Sequence, residues 1–148
     1  MKPLPDAQTL ARLVSNVTST MLGISFKPVD APPEMGGVWR TALLPIPGAR
    51  PVVVGLASEF QSSQRLSAAM FSCKEADVDQ PMRDDSLREL ANMTAGLVKS
   101  ALGLDALLGL PVIKDGATVP QRKPVQSVFV RAESLGLFLW VSEGAIPP

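Results

Sequence analysis

The sequence contains no histidine and no tyrosine, and a single cysteine among its 148 residues. The missing histidine removes the commonest general base near neutral pH and the commonest metal ligand together. With Cys73 alone there is no intrachain disulfide, no cysteine-based zinc site and no Cys/His nucleophile pair. Beside Met70 and Phe71, Cys73 reads as a small buried hydrophobe. Five Phe and two Trp are too few for the stacking platforms of single-strand binders. Net charge is lacking as well: Lys+Arg and Asp+Glu number 14 each, so no basic excess points to nucleic acid. MKPLPDAQTL has no signal-like apolar stretch, and no apolar run approaches the ~18 residues of a membrane span. The expectation is a cytoplasmic protein without membrane insertion or a nucleic-acid partner.

What is present suffices for a core. Apolar residues make up 46% and charged residues 19%, the composition of a globular chain, and the length fits one domain over 1–148. Asp6 is placed to cap a helix in which Leu10, Leu13, Val14, Val17 and Met21 recur at helical spacing, ending at Gly23. Arg12, Ser15, Asn16 and Ser19 fill its polar side. ISFKPV (24–29) reads as a short strand, followed by the loop DAPPEMGG. Val38–Leu44 and Val52–Leu56 are strand-like runs around the turn PIPGARP. Residues 59–71 have helical spacing at Phe60, Leu66, Ala69 and Met70, and 74–85 form a charged connection or helix entry. The strongest helix spans 81–102, with Asp79 as cap and Pro81 in its first turn. After the loop GLDALLG, residues 110–113, 125–130 and 135–142 read as strands, the last two a hairpin across Arg131–Ser134. This order predicts an α+β fold: one domain, with helices packed on a largely antiparallel sheet.

The helix at 81–102 carries the candidate site. At 100° per residue, Leu87, Leu90, Ala91, Thr94, Leu97, Val98, Ala101 and Leu102 share one arc, the natural core face. Glu89, Asn92 and Gly96 fall within about 60° of one another on the opposite side, with Asp85 nearby and Met93 at the margin. A glycine inside a helix costs roughly 1 kcal/mol relative to alanine. On a solvated face folding does not ask for it, but close approach by another molecule would. Two plainer readings stand beside this one. Ser86-Leu87-Arg88-Glu89 matches a capping box, by which Glu89 would only cap a later helix start. The whole line also fits an ordinary solvated face.

RELANMTAG (88–96), with LPVIKDG (110–116) after a loop, resembles the CheX/CheC family of chemotaxis phosphatases, CheX more closely. Glu89, Asn92 and Pro111 take the places of that family's Glu-x-x-Asn and downstream proline. The preceding VGLASEFQSSQRLSAAMF fits the family's strand-to-helix passage. Two departures are visible. PIPGARP is proline-rich where a plainer glycine turn is expected, and CheC's second motif copy is missing, since QSSQRL lacks the Glu-x-x-Asn spacing.

The resemblance implies a CheC/CheX-like fold and a phosphatase acting on the phospho-aspartate of a CheY-like response regulator. Glu89 would pair with the regulator's lysine, and Asn92 would orient the hydrolytic water. Asp85, Met93 and Gly96 are then candidate partner-binding positions. The regulator would supply Mg²⁺, and the protein would need no cofactor of its own. A homodimer joined through sheet edges is also implied. The chemistry does not need histidine, because phosphoryl transfer depends more on positioning and charge placement than on a strong base. Two alternatives use the same face or fold: a non-catalytic module that binds receiver domains, and a flagellar-switch-like structural subunit.

Overall fold

Asp6 does cap the first helix, accepting the Thr9 N–H at 2.9 Å. That bond holds its carboxyl below the usual carboxylate range. In the computed structural model, which describes residues 2–30, 39–117 and 124–145, α1 runs Ala7–Leu22 and closes on Gly23 at φ 70°. Ser15 is not wholly outward, since its hydroxyl accepts the Phe26 N–H at 3.0 Å. The short strand β1, Lys27–Val29, follows. The strand-initial Val38 and most of DAPPEMGG lie outside the described residues.

β2 (Trp39–Ile46) and β3 (Val52–Glu59) pair antiparallel from Trp39↔Glu59 to Ile46↔Val52. Part of the presumed turn PIPGARP is therefore strand. Pro45 is tolerated because β4 pairs only with Arg40–Leu43, so no ladder bond is lost on that outer side. The Pro45 carbonyl instead accepts the Gly109 N–H at 2.8 Å.

α2 (Phe60–Phe71) is capped by Glu59, which accepts the N–H groups of Gln61 and Ser62. Its buried face differs from the expected one. Phe60 and Ala69 are exposed, whereas Ser62, Leu66, Ser67 and Ala68 are buried. Small hydroxyls fit there because they find partners in close quarters: Ser62 Oγ accepts the Gly136 N–H, and Ser67 Oγ donates to Ser86 Oγ at 2.7 Å. Cys73, just beyond, is half-buried and not the core residue expected. A single 3-10 turn at Glu75–Asp77 leads into α3 (Gln80–Leu102). β4 (Val112–Asp115), β5 (Val125–Ala132) and β6 (Leu135–Glu143) complete the sheet.

The six strands lie in the order β1-β5-β6-β3-β2-β4, every neighbouring pair antiparallel. The three helices cover one face, where Leu10, Val14, Leu44, Val54, Leu56, Leu90, Val98, Val130, Leu137 and Leu139 form the main core. The other face buries Trp39, Leu43, Val53, Phe129 and Trp140 in two smaller clusters. The order has approximate twofold symmetry about the central β3–β6 pair. Each half has a long helix leading to an edge strand, α1 to β1 and α3 to β4. The counterpart of α3 is thus α1, not α2. Aligning Gly23 on Gly103 sets Thr9 and Arg12 at the places of Glu89 and Asn92, so α1 carries no second Glu-x-x-Asn.

Candidate functional site

Helix α3 begins where Asp79 accepts the Met82 N–H at 3.0 Å, with Pro81 in the first turn. Ser86 is therefore mid-helix. Its hydroxyl donates to the Met82 carbonyl at 2.9 Å, and the capping-box reading of Glu89 falls. The helix ends on Gly103 at φ 65°, a left-handed position that glycine adopts without strain.

The core face is Leu87, Leu90, Ala91, Thr94, Ala95, Val98 and Leu102, packed toward β2 and β3. The buried set differs from the expected arc at both edges and at the helix end. Ala101 is exposed and Leu97 half-buried, while Ala95 and Ser86 are buried. Ser86 is buried because α2 packs on that flank of α3 through Ser67–Ser86 and Gln64–Arg83, and α1 packs on α3 as well, so burial follows neighbouring helices and not the sheet alone. Thr94 Oγ1 donates to the Leu90 carbonyl at 2.7 Å, so its burial leaves no orphan donor.

The opposite face is as the projection required. Asp85, Glu89 and Asn92 are exposed, and Met93 and Gly96 are half-buried along the same line. Glu89 and Asn92 have no hydrogen bond or ion pair among the described residues. Asp85 is bound to Arg88 Nη1 at 2.9 Å. A Cβ built on Gly96 would meet nothing within 4 Å, so nothing in the fold requires glycine there. Met93 packs its body against the edge of the core beneath. Pro111 sits immediately before β4. No group of metal-ligating side chains occurs among the described residues.

Sequence reasoning missed Arg40. Its only signal was a lone cation in the apolar run VWRTALL. From β2 it grips Asp84 of α3 with two bonds, Nε–Oδ1 at 2.8 Å and Nη2–Oδ2 at 3.0 Å, and also reaches Asp115 of β4. This bidentate clamp fixes the first half of α3, one turn before Glu89. The two side chains are 25% and 14% exposed, so water screens the pair only in part. Arg40→Ala is expected to cost about 2 kcal/mol in urea denaturation, below the roughly 3–5 kcal/mol of a fully buried broken pair. An unchanged midpoint would show that the clamp does not hold the helix.

A family model described as Chemotaxis phosphatase CheX matches residues 40–133, from the Arg40 clamp through α3 to the β5–β6 turn. The chain belongs to the CheX family. Solved structures agree in fold. Chemotaxis protein CheX from Vibrio vulnificus matches with a TM-score of 0.73 at 16% identity, covering 91% of this chain and 96% of that one. CheX from Desulfovibrio desulfuricans gives 0.68 at 21% identity, over 91% and 96%. A CheX–CheY–BeF3–Mg complex from Borrelia burgdorferi gives 0.68 at 13% identity, over 95% and 99%. No curated protein matches the chain in sequence. The α+β fold expected from the sequence, helices packed on a largely antiparallel sheet, is thus the family's, here with six strands and three helices on one face. No helix among the described residues is long and apolar enough to cross a membrane.

Proposed function

We propose that this CheX-family protein is a phosphatase for the phospho-aspartate of a CheY-like receiver domain, with α3 as its working face. The observation that carries the reading is the pair Glu89 and Asn92, exposed and without a partner among the described residues, on a helix that the core, α2 and the Arg40 clamp hold in place. In this reading Glu89 pairs with a lysine of the receiver. Asn92 holds a water in line with the phosphorus, using its amide as donor and acceptor. The receiver brings Mg²⁺, which when bound neutralises developing charge on the phosphoryl oxygens. The Borrelia relative crystallised with CheY supports the choice of partner. Such a partner places the protein in the cytoplasm. The homodimer belongs to the same proposal, supported by the outer strands β1 and β4 that end the sheet.

The test is phosphate release from a phosphorylated, Mg²⁺-loaded receiver domain. Addition of the protein is expected to shorten the phosphoryl lifetime. Tight binding without faster decay would select the non-catalytic module instead.

Asp85, Met93 and Gly96 are contact positions in this reading, and Gly96 is the clearest to probe. Gly96→Ala adds a methyl into open space and should stabilise the helix by about 1 kcal/mol. Gly96→Leu should keep the fold but weaken receiver binding at least tenfold by isothermal titration. Leucine binding as well as glycine would refute the close-approach role.

A further inference from the structure

The working face carries a charge problem that Glu89 and Asn92 do not solve. Asp85 and Glu89 are both exposed there, so without another group a dianionic phosphoryl would approach two carboxylates. Arg88 is the only basic residue between Asp85 and Gly96. It lies one turn before Asn92, at the i, i+4 spacing that makes helix side chains neighbours. Its side chain and that of Asp85 are 42% and 65% exposed, and the pair joins two residues of one helix. A solvated pair of this kind adds little to folding. Arg88 does not tie α3 to another element, unlike Arg40.

The geometry of the pair is specific. Among the described residues only Nη1 of Arg88 is engaged, donating to Asp85 Oδ1 at 2.9 Å. The Nε and Nη2 donors have no partner among the described residues. A guanidinium presents its donors as a rigid planar fork, so a carboxylate that fixes one nitrogen also orients the others. We infer that Arg88 is a third catalytic residue of this face: oriented by Asp85, it donates its free N–H groups to the phosphoryl oxygens of the docked receiver. Asp85 is then a positioning residue. The inference rests on the phosphatase reading and adds the cation this face supplies to a transition state with charge spread over the equatorial oxygens.

The experiment compares wild type, Arg88→Ala, Arg88→Lys and Asp85→Asn, each checked for an unchanged thermal midpoint. Two readouts are taken: steady-state phosphate release, and binding to receiver loaded with Mg²⁺ with and without beryllium trifluoride, whose shape and charge resemble a phosphoryl group. Arg88→Ala is expected to lower kcat by about 10- to 100-fold, the range of one charged hydrogen bond, with a smaller change in KM. It should also lose most of the preference for the trifluoride-loaded receiver. Lysine should restore only part of either effect, because a point charge lacks the fork. Asp85→Asn should fall between wild type and Arg88→Ala. Unchanged kcat in Arg88→Ala, or a raised KM alone, overturns the inference while leaving the phosphatase reading intact. If wild type releases no phosphate, that reading fails, and the binding preference still decides whether Arg88 meets the phosphoryl analogue.

Discussion

Asn92→Ala should lower phosphate release from a phosphorylated receiver domain by about 10²–10³-fold, the usual effect of losing one positioned hydrogen-bonding group at a reacting centre. The side chain is exposed and has no partner among the described residues, so its removal should leave the melting midpoint in place. That separation makes the variant decisive. If the activity depended only on docking, Asn92→Ala would raise KM and spare kcat. If a water is aligned by the amide, kcat falls while the receiver still binds. Asn92→Asp keeps the size but replaces a donor by a negative charge facing the phosphoryl group, and should be at least as damaging. Glu89→Gln should divide the other way, weakening binding more than turnover, because its proposed partner is a lysine of the receiver and not the attacking water. Equal turnover by wild type and Asn92→Ala would remove the amide from the mechanism.

The largest effect on stability is expected far from that face. Gly55 sits in the middle of β3, between β2 and β6, and the indole of Trp140 lies over it. A Cβ at Gly55 would stand 2.1 Å from Trp140 Cε2 and 2.3 Å from Cζ2. The ring is 3% exposed and wedged beside Leu43 and Val53, so it has no open space to move into. Gly55→Ala should therefore cost about 3 kcal/mol, the upper part of the range for overpacking a core. That is a large fraction of the roughly 5–15 kcal/mol that holds a domain together. Urea denaturation measures it, and Trp140→Leu in the same chain should recover part of the loss by shortening the obstacle. A Gly55→Ala midpoint equal to wild type would mean the indole yields at no cost.

These two positions differ in how far they could be read from sequence. The direction of Asn92 was legible because helical periodicity alone turns Glu89, Asn92 and Gly96 away from Leu87, Leu90, Thr94 and Val98. The ends of α1 and α3 were legible too, since Asp6, Asp79, Gly23 and Gly103 do local work at caps. Gly55 gave no such signal. Its role depends on a residue 85 positions later in β6, brought opposite by the Gly55↔Trp140 register.

The misses have the same origin. Phe60 and Ala69 looked like core at helical spacing, yet α2 buries Ser62 and Ser67, because hydroxyl partners on β6 and α3 lie close against it. Ala101 looked buried, but the end of α3 is open on that side. Pro45 looked like a turn, and β2 continues through it because β4 stops short of that point.

By itself the sequence determined most of the element types, the helix caps and the outward face of α3. All of these rest on interactions between residues a few positions apart. Only the tertiary structure decided that α1 is the counterpart of α3, that Arg40 clamps Asp84 and Asp115 across three elements, and that Trp140 lies over Gly55. Those facts depend on strand order, helix packing and side-chain direction, which distant residues set together and no local pattern records.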